Sequence, residues 1–271
     1  MDVKLIALDI DGTIILPHTP SERAYPSSRL RQVVGRLCEL GVVVVLASGR
    51  MFPGTAEIAR HLGLDTPVIC QQGCSVHAVD GTMLHEFPIE RRTALEVVDY
   101  GRELDHPCEW FNPLRYIVSR RNPDSEEYAR LSGIRAEYRP DPENSGVEPT
   151  GVGIISSHDE ANGIHRHLTG LHGEVLHLLD FPTVTVAVAP EANKGHALSL
   201  LCADLDIDRR AVLAVGDSVN DAAMLAWAGR GVAMNHSDTY ARDAADEVLP
   251  DNGDDDPLAT LLEELLRQRR L

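Results

Sequence analysis

Apolar residues fall in different rhythms along the chain. In the first third, short apolar runs alternate with helical spacings. Val3–Leu8 is a compact, mostly apolar run that meets Asp9, the pattern of a buried strand. Ser27–Leu40 places Leu30, Val33, Val34, Leu37 and Leu40 at helical intervals, with Ser28 as N-cap and Gly41 as the stop. Val42–Ala47 is β-branched and too continuous to have a wet face. Pro53–Leu62 reads as a helix stopped by Gly63, and Val68–Cys70 as another strand. This β-α-β-α-β order predicts a parallel sheet with right-handed crossovers, and so an α/β fold.

The middle reads differently. Helices are expected at Ile89–Leu104 and Asp159–Leu171, and strands at Arg115–Ser119, Gly151–Ser156 and Glu174–Leu179. Pro140, Pro142 and Pro149 mark a loop-rich stretch between them. From His85 to Thr183 there are 18 acids, 10 Arg and no Lys, which sets the segment apart. It reads as an α+β insertion over 85–183, flanked by a Rossmann-like parallel-sheet core over 1–84 and 184–271. In the last third, Thr183–Ala189, Ala211–Val215 and Gly231–Ala233 read as strands, with helices at Gly195–Leu205 and Asn220–Ala228. The final helix has Asp256 at N-cap, Pro257 at N1, and Leu258, Leu261, Leu262, Leu265 and Leu266 on one face. Arg267, Arg269 and Arg270 fall at its negative dipole end.

Composition narrows the class. The 271 residues are 43% hydrophobic and 25% charged, ordinary globular usage. The net charge, 25 − 42 = −17, argues against nucleic-acid or anionic-membrane partners. No apolar run approaches the roughly 20 residues of a membrane helix. The start, MDVKLIALDIDG, has no basic region of the kind that opens a signal peptide. Five cysteines form no Cys-x-x-Cys pair, so a reduced, soluble, cytoplasmic protein is expected. Of the 25 basic residues 23 are Arg, which makes Lys4 and Lys194 stand out.

Four polar clusters follow expected strands, and a parallel sheet would gather them at its carboxyl edge, where such folds bind ligands. Asp9-Ile10-Asp11-Gly12-Thr13 sets two carboxylates side by side, one able to attack while its neighbour handles a proton. Ser48-Gly49-Arg50 brings a hydroxyl and backbone N–H groups toward an anion. Lys194 opens a helix with a cation. Gly216-Asp217-Ser218-Val219-Asn220-Asp221 offers hard oxygen ligands suited to Mg²⁺. Each alone also reads as a turn or a helix cap.

In their order and strand-end placement the clusters resemble the haloacid dehalogenase-like phosphatases. The run from Val184 through Asn193-Lys194-Gly195-His196, that from Ala214 through Asp217, Asn220 and Asp221, and Gly231-Val-Ala-Met-Asn resemble the Cof-like subgroup with a large α/β cap. The resemblance implies that Asp9 is a nucleophile forming an aspartyl-phosphate, and that Asp11 is the acid and then the base. It implies Mg²⁺ held by Asp9, the Asp11 backbone carbonyl and Asp217, with Asp221 ordering its waters. Ser48, Lys194, Asn220 and the N–H groups of Gly12 and Gly49 would hold the phosphoryl oxygens. A carboxylate approaches a phosphate dianion only where cations cancel the repulsion. The implied function is phosphatase action on a small phosphorylated metabolite, such as a sugar phosphate. A phosphotransferase or phosphomutase on the same scaffold, or a silent phosphate-binding regulator, are the alternatives. Oligomeric state is not readable.

One departure from the subgroup is Gln71-Gln72-Gly73, where Asn-Gly is usual; it leads toward the cap and bears on substrate contacts. In the cap, Arg115, Arg120 and Arg121 could meet a second anionic group, although solvated surface Arg is the plainer reading. Trp110, Phe111 and Tyr116 read as core that could also line a pocket, and His165, His167, His172 and His177 as surface histidines.

Overall fold

The computed structural model describes residues 2–17, 25–251 and 253–269. Arg270 lies outside them, as does the side chain of Arg269. The first stretch forms β1 (Leu5–Leu8), α1 (Ser28–Glu39), β2 (Val43–Ala47), α2 (Phe52–Leu62), β3 (Val68–Cys70), β4 (Ser75–His77) and β5 (Met83–Glu86). The middle forms α3 (Arg91–Glu103), β6 (Cys108–Phe111), β7 (Tyr116–Val118), α4 (Pro123–Leu131), β8 (Glu137–Tyr138), β9 (Gly151–Ile155), α5 (His158–His172), β10 (His177–Asp180) and β11 (Val184–Val188). The last stretch forms α6 (Lys194–Asp204), β12 (Val212–Gly216), α7 (Ala222–Trp227), β13 (Arg230–Ala233), α8 (Thr239–Ala244), β14 (Glu247–Val248) and α9 (Pro257–Arg269).

The core sheet runs β14-β13-β12-β1-β2-β3-β4-β5. Pairing is parallel from β14 to β3, and β4 and β5 add antiparallel to that edge. Its central strands read as unbroken apolar runs because helices cover both faces. Ile6, Leu8, Val44, Leu46 and Val215 pack under α1, α2 and α9. Leu5, Ala7, Val45, Ala47 and Ala214 pack against α6 and α7. Each fully buried Leu, Ile or Val contributes about 1.5–3 kcal/mol. Helix α1 is capped by Ser27, not Ser28: Ser27 is extended, and its hydroxyl accepts the Leu30 N–H at 2.9 Å. Asp256 caps α9 as expected, accepting the Ala259 N–H at 3.2 Å.

The second sheet runs β10-β11-β9-β6-β7-β8 and is antiparallel except for the β7–β8 pair. One face, with Trp110, Val152 and Ile154, lies under α3 and α5. The other, with Phe111, Tyr116, Ile155, Val186 and Val188, meets Met51, Cys74 and Ala192 of the core. The architecture is a Rossmann-like parallel-sheet core carrying an inserted α+β cap.

Two expected boundaries move. Strand β11, read as the first strand of the resumed core, instead lies between β9 and β10 in the cap sheet. A central antiparallel strand covered on both faces carries the same continuous apolar run as a buried parallel one, so the pattern did not separate them. The break expected at residue 85 falls inside β5, which pairs with β4 in the core sheet. Elements without a strong apolar period went unread: β4, β5, β6, α4, β8, α8 and β14. The helix expected from Asn220 begins at Ala222, after a tight turn over Val219–Asp221.

Candidate active site

Register sets the floor of the site. Leu8 stands level with Leu46 on one side and Val215 on the other, so the chain leaves β1, β2 and β12 at about one height. Asp9, Ser48 and Asp217 follow within two residues of those levels. Lys194 arrives by another route. It opens α6 after a cap strand, with the Asn193 side chain accepting the His196 N–H at 2.8 Å.

The Lys194 ammonium is fully buried and donates to Asp9 Oδ1 and Asp221 Oδ1, each at 2.6 Å. The other oxygen of Asp221 accepts the N–H groups of Asp217 and Ser218 at 2.9 and 3.0 Å. Thr13 donates its hydroxyl to Asp217 at 3.3 Å. Gly12 is needed where it stands: its φ is +95°, and a Cβ there would sit 2.1 Å from the Asp217 carboxylate. Burial, then the nearby Asp221 carboxylate, push the Asp9 carboxyl well above its ordinary value. The same two causes push Asp217 up to about 7. Burial alone would pull the Lys194 ammonium down, but Asp221 and Asp9 outweigh it and the net direction is up.

Three carboxylates thus share one ammonium. Asp9, Asp217 and Asp221 each bring an oxygen within 4.8 Å of the others, and Asp9 Oδ2 is buried with no hydrogen-bond partner among the described residues. An orphaned carboxylate oxygen in an under-neutralised all-oxygen set fits a hard divalent cation.

At the rim, Arg50 grips Asp11 with both prongs, Nε to Oδ2 at 2.7 Å and Nη2 to Oδ1 at 2.5 Å. Asp11 therefore stands apart from the buried trio. Gln71 and Gln72 both adopt left-handed backbone, φ 49° and 64°, which is uncommon away from glycine. The subgroup's usual Asn tolerates that conformation better, but the longer Gln72 amide reaches across to accept from the Asn220 side chain. The departure therefore touches an expected phosphate-binding residue, and not the cap side alone. Asn220 also accepts from the Ser218 hydroxyl at 2.9 Å.

Asp9, Asp11, Gly49, Asp217 and Asn220 line a cavity of about 360 Å³ between core and cap. Ser48, Lys194 and Asp221 are buried behind that lining; the Ser48 hydroxyl oxygen accepts the Arg50 N–H at 3.1 Å. The Gly12 N–H, expected to face a phosphoryl oxygen, is instead given to the Ile15 carbonyl at 2.8 Å, closing a tight turn. Sequence reasoning missed the Arg50–Asp11 grip and the position of His236, whose Nε2 lies 2.8 Å from the Gly12 carbonyl and 4.0 Å from Asp217. Arg50 sat inside a cluster already singled out. His236 directly follows Gly231-Val-Ala-Met-Asn, so a signal existed for both.

The cap side contributes Glu109, Phe111, Ile155, Phe181, Val184 and Val186 to the cavity. Arg115, Arg120 and Arg121 are not brought there: they pair at 2.7 Å with Glu137, Asp105 and Glu126 respectively. Phe111 lines the pocket, Tyr116 stands behind Glu109 and donates to it, and Trp110 is core, donating to the Val147 carbonyl at 2.8 Å.

Residues 6–262 match the family model described as haloacid dehalogenase-like hydrolase. An HMP-PP phosphatase of Escherichia coli O6:H1 is 27% identical over 236 residues, covering 86% of this chain and 85% of that protein. A haloacid dehalogenase-like hydrolase from B. subtilis superposes with a TM-score of 0.82 at 23% identity, covering 97% of this chain and all of the other (100%). A sugar phosphatase of HAD subclass IIB superposes at 0.81 with 17% identity, covering 97% and 99%. No described helix is long and apolar enough to cross a membrane.

Proposed function

Because this chain belongs to the haloacid dehalogenase-like hydrolases, we propose that it is a Mg²⁺-dependent phosphatase of small phosphorylated metabolites, working through an aspartyl-phosphate on Asp9. The observation that carries this reading is the buried Asp9 carboxylate, one oxygen on Lys194 and the other without a partner among the described residues, beside two further acids. Two relatives that resemble the chain along most of its length, one in sequence and one in fold, are themselves named phosphatases.

Asp9, Asp217 and the backbone carbonyl of Asp11 would hold Mg²⁺, with Asp221 ordering its waters. Bound there, the ion supplies the positive charge that lets a carboxylate approach a phosphate dianion. Lys194 aims Asp9 and offsets its charge. Asp9 then attacks phosphorus, the ester P–O bond breaks, and Asp11 gives its proton to the leaving alcohol. Asp11 next takes a proton from the water that hydrolyses the aspartyl-phosphate, releasing inorganic phosphate. Both roles require Asp11 to part from Arg50, and a phosphate dianion is a competing bidentate partner for that guanidinium. Asn220 and the Gly49 amide, which line the cavity, would steady the phosphoryl oxygens, and Ser48 behind them holds the turn through the Arg50 N–H.

A panel of phosphomonoesters with Mg²⁺, read by inorganic phosphate, tests the reading. Wild-type protein should release phosphate from at least one ester and lose the activity in EDTA. Asp9→Asn should fall by at least about 10³-fold, since it removes the attacking group itself. Wild-type turnover by Asp9→Asn would end the assignment. A phosphoryl group found on an acceptor alcohol rather than in free phosphate would make the enzyme a phosphotransferase.

A further inference from the structure

We propose that Glu109 selects the substrate: it accepts from an N–H donor, an amine or amidine, on an apolar, ring-sized organic group seated against Phe111. This rests on the phosphatase reading only for which end of the ligand faces Asp9.

The cap sheet is cleared for this contact. Glu109 pairs with Gly153, and Phe111 with Gly151, across β6 and β9. A Cβ at Gly153 would stand 2.3 Å from Glu109 Oε2, and one at Gly151 2.4 Å from the Phe111 ring. The two glycines leave the room that the carboxyl and the ring occupy on the face turned to the cleft. Both side chains line the cavity opposite Asp9 and Asp217.

Glu109 has a hydroxyl partner but no cation beside it among the described residues. It is 7% exposed, and the Tyr116 hydroxyl, on Oε1, is its side-chain partner among the described residues. Burial pushes its carboxyl up to about 7 with no nearby cation to hold it down. A buried carboxylate without a cation is costly, and a ligand bearing a charged or neutral N–H donor supplies what is missing. Among the described lining residues the single cation is Arg50, which stands on the core side where Asp11 and the reacting phosphate compete for it, while Asp124 adds a further acid. A second phosphate or carboxylate on the substrate would meet repulsion at this wall.

The neighbours of Glu109 settle the rest of the ligand. Ile155, Phe181, Val184 and Val186 offer no hydrogen bonds from their side chains. Hydroxyls set against these four side chains would be stripped of water without replacement, whereas a flat apolar body loses nothing there; Asp124, Tyr128, Gln71 and Gln72 are further polar residues of the lining.

The test uses two non-hydrolysable probes, 4-(aminomethyl)benzylphosphonate and benzylphosphonate, titrated into wild-type protein with Mg²⁺ by calorimetry. The amine probe should bind at least about tenfold more tightly, the usual margin of a charged hydrogen bond. Glu109→Gln should weaken the amine probe until the two affinities match. Equal affinities in the wild type, or a parallel loss for both probes in the variant, would overturn the proposal. The wild-type ratio decides alone if the variant does not fold. Phosphate release from unrelated esters together with equal probe affinities would sink this inference and leave the phosphatase reading standing. Failure of every ester to turn over would sink that reading, while the affinity ratio still judges this one.

Discussion

On the core side of the cleft, Asp9, Asp217 and Asp221 crowd around one buried ammonium, and two of them find it at 2.6 Å. On the cap side, Glu109 stands among Phe111, Ile155 and Phe181 with a tyrosine hydroxyl for company. Both walls bury carboxyl groups, and in both burial is the largest cause raising them. The core has a built counter-charge and a vacancy in its neutralisation that a divalent ion fits. Among its described residues that line the cleft, the cap brings no cation to Glu109. On the proposed function the two walls call for different partners: the core for a metal and a phosphate, the cap for the organic half of the ligand.

The largest effect that separates the walls is a stability difference with pH. A carboxyl raised to about 7 in the folded chain, against an ordinary 4.5, keeps its proton while the unfolded chain has lost it. The folded state then binds more protons between those values, so this group's contribution falls as pH rises from about 4.5 to 7. Glu109→Gln removes that fall while keeping an acceptor for Tyr116. Denaturant titration should show the variant gaining roughly 2 kcal/mol on wild type between pH 5 and pH 8. A variant whose stability tracks wild type at both pH values would mean Glu109 is already neutralised.

Lys194→Arg probes the opposite wall. The chain uses Arg for nearly all its positive charge, so this Lys is expected to be needed for its shape. Its ammonium bridges two carboxylates in a fully buried slot, and a planar guanidinium is too wide for that geometry. We expect kcat to fall at least about tenfold, roughly 1.4 kcal/mol in barrier. Unchanged kcat on the best ester found would show that only the charge matters.

The smallest effect belongs to the cap's own cations. Arg115, Arg120 and Arg121 are paired with acids away from the cavity. Exposed pairs of this kind are worth at most about 1 kcal/mol. Replacing each by Ala should leave KM within about twofold, since no substrate contact is lost. A rise beyond tenfold in any one would bring that Arg back into the binding surface.

Much of the site was legible because its chemistry is local. Asp9 and Asp11 two apart at a strand end, Asp217, Asn220 and Asp221 in one turn, and a lone Lys at a helix start are each visible without coordinates. The alternation of apolar runs and helical spacings likewise determined an α/β core, because strands buried on both faces must be apolar throughout. Lys194 and Asp9, 185 residues apart, were expected together only because a parallel sheet gathers its strand ends at one edge. Contacts without such a rule were not legible: Arg50 and Asp11 are 39 residues apart, and nothing local pairs them. The apolar run Val184–Val188 serves a cap sheet as well as a core sheet, and its pairing with β9 and β10 decided which. The same holds for Glu109. Sequence showed one acid among many, and only the packed sheet, with Gly153 opposite and apolar side chains around it, took that acid out of water without giving it a cation. Hydrophobic periodicity is a property of a segment, whereas pairing, burial and the electrostatics that follow belong to whatever the fold sets beside it.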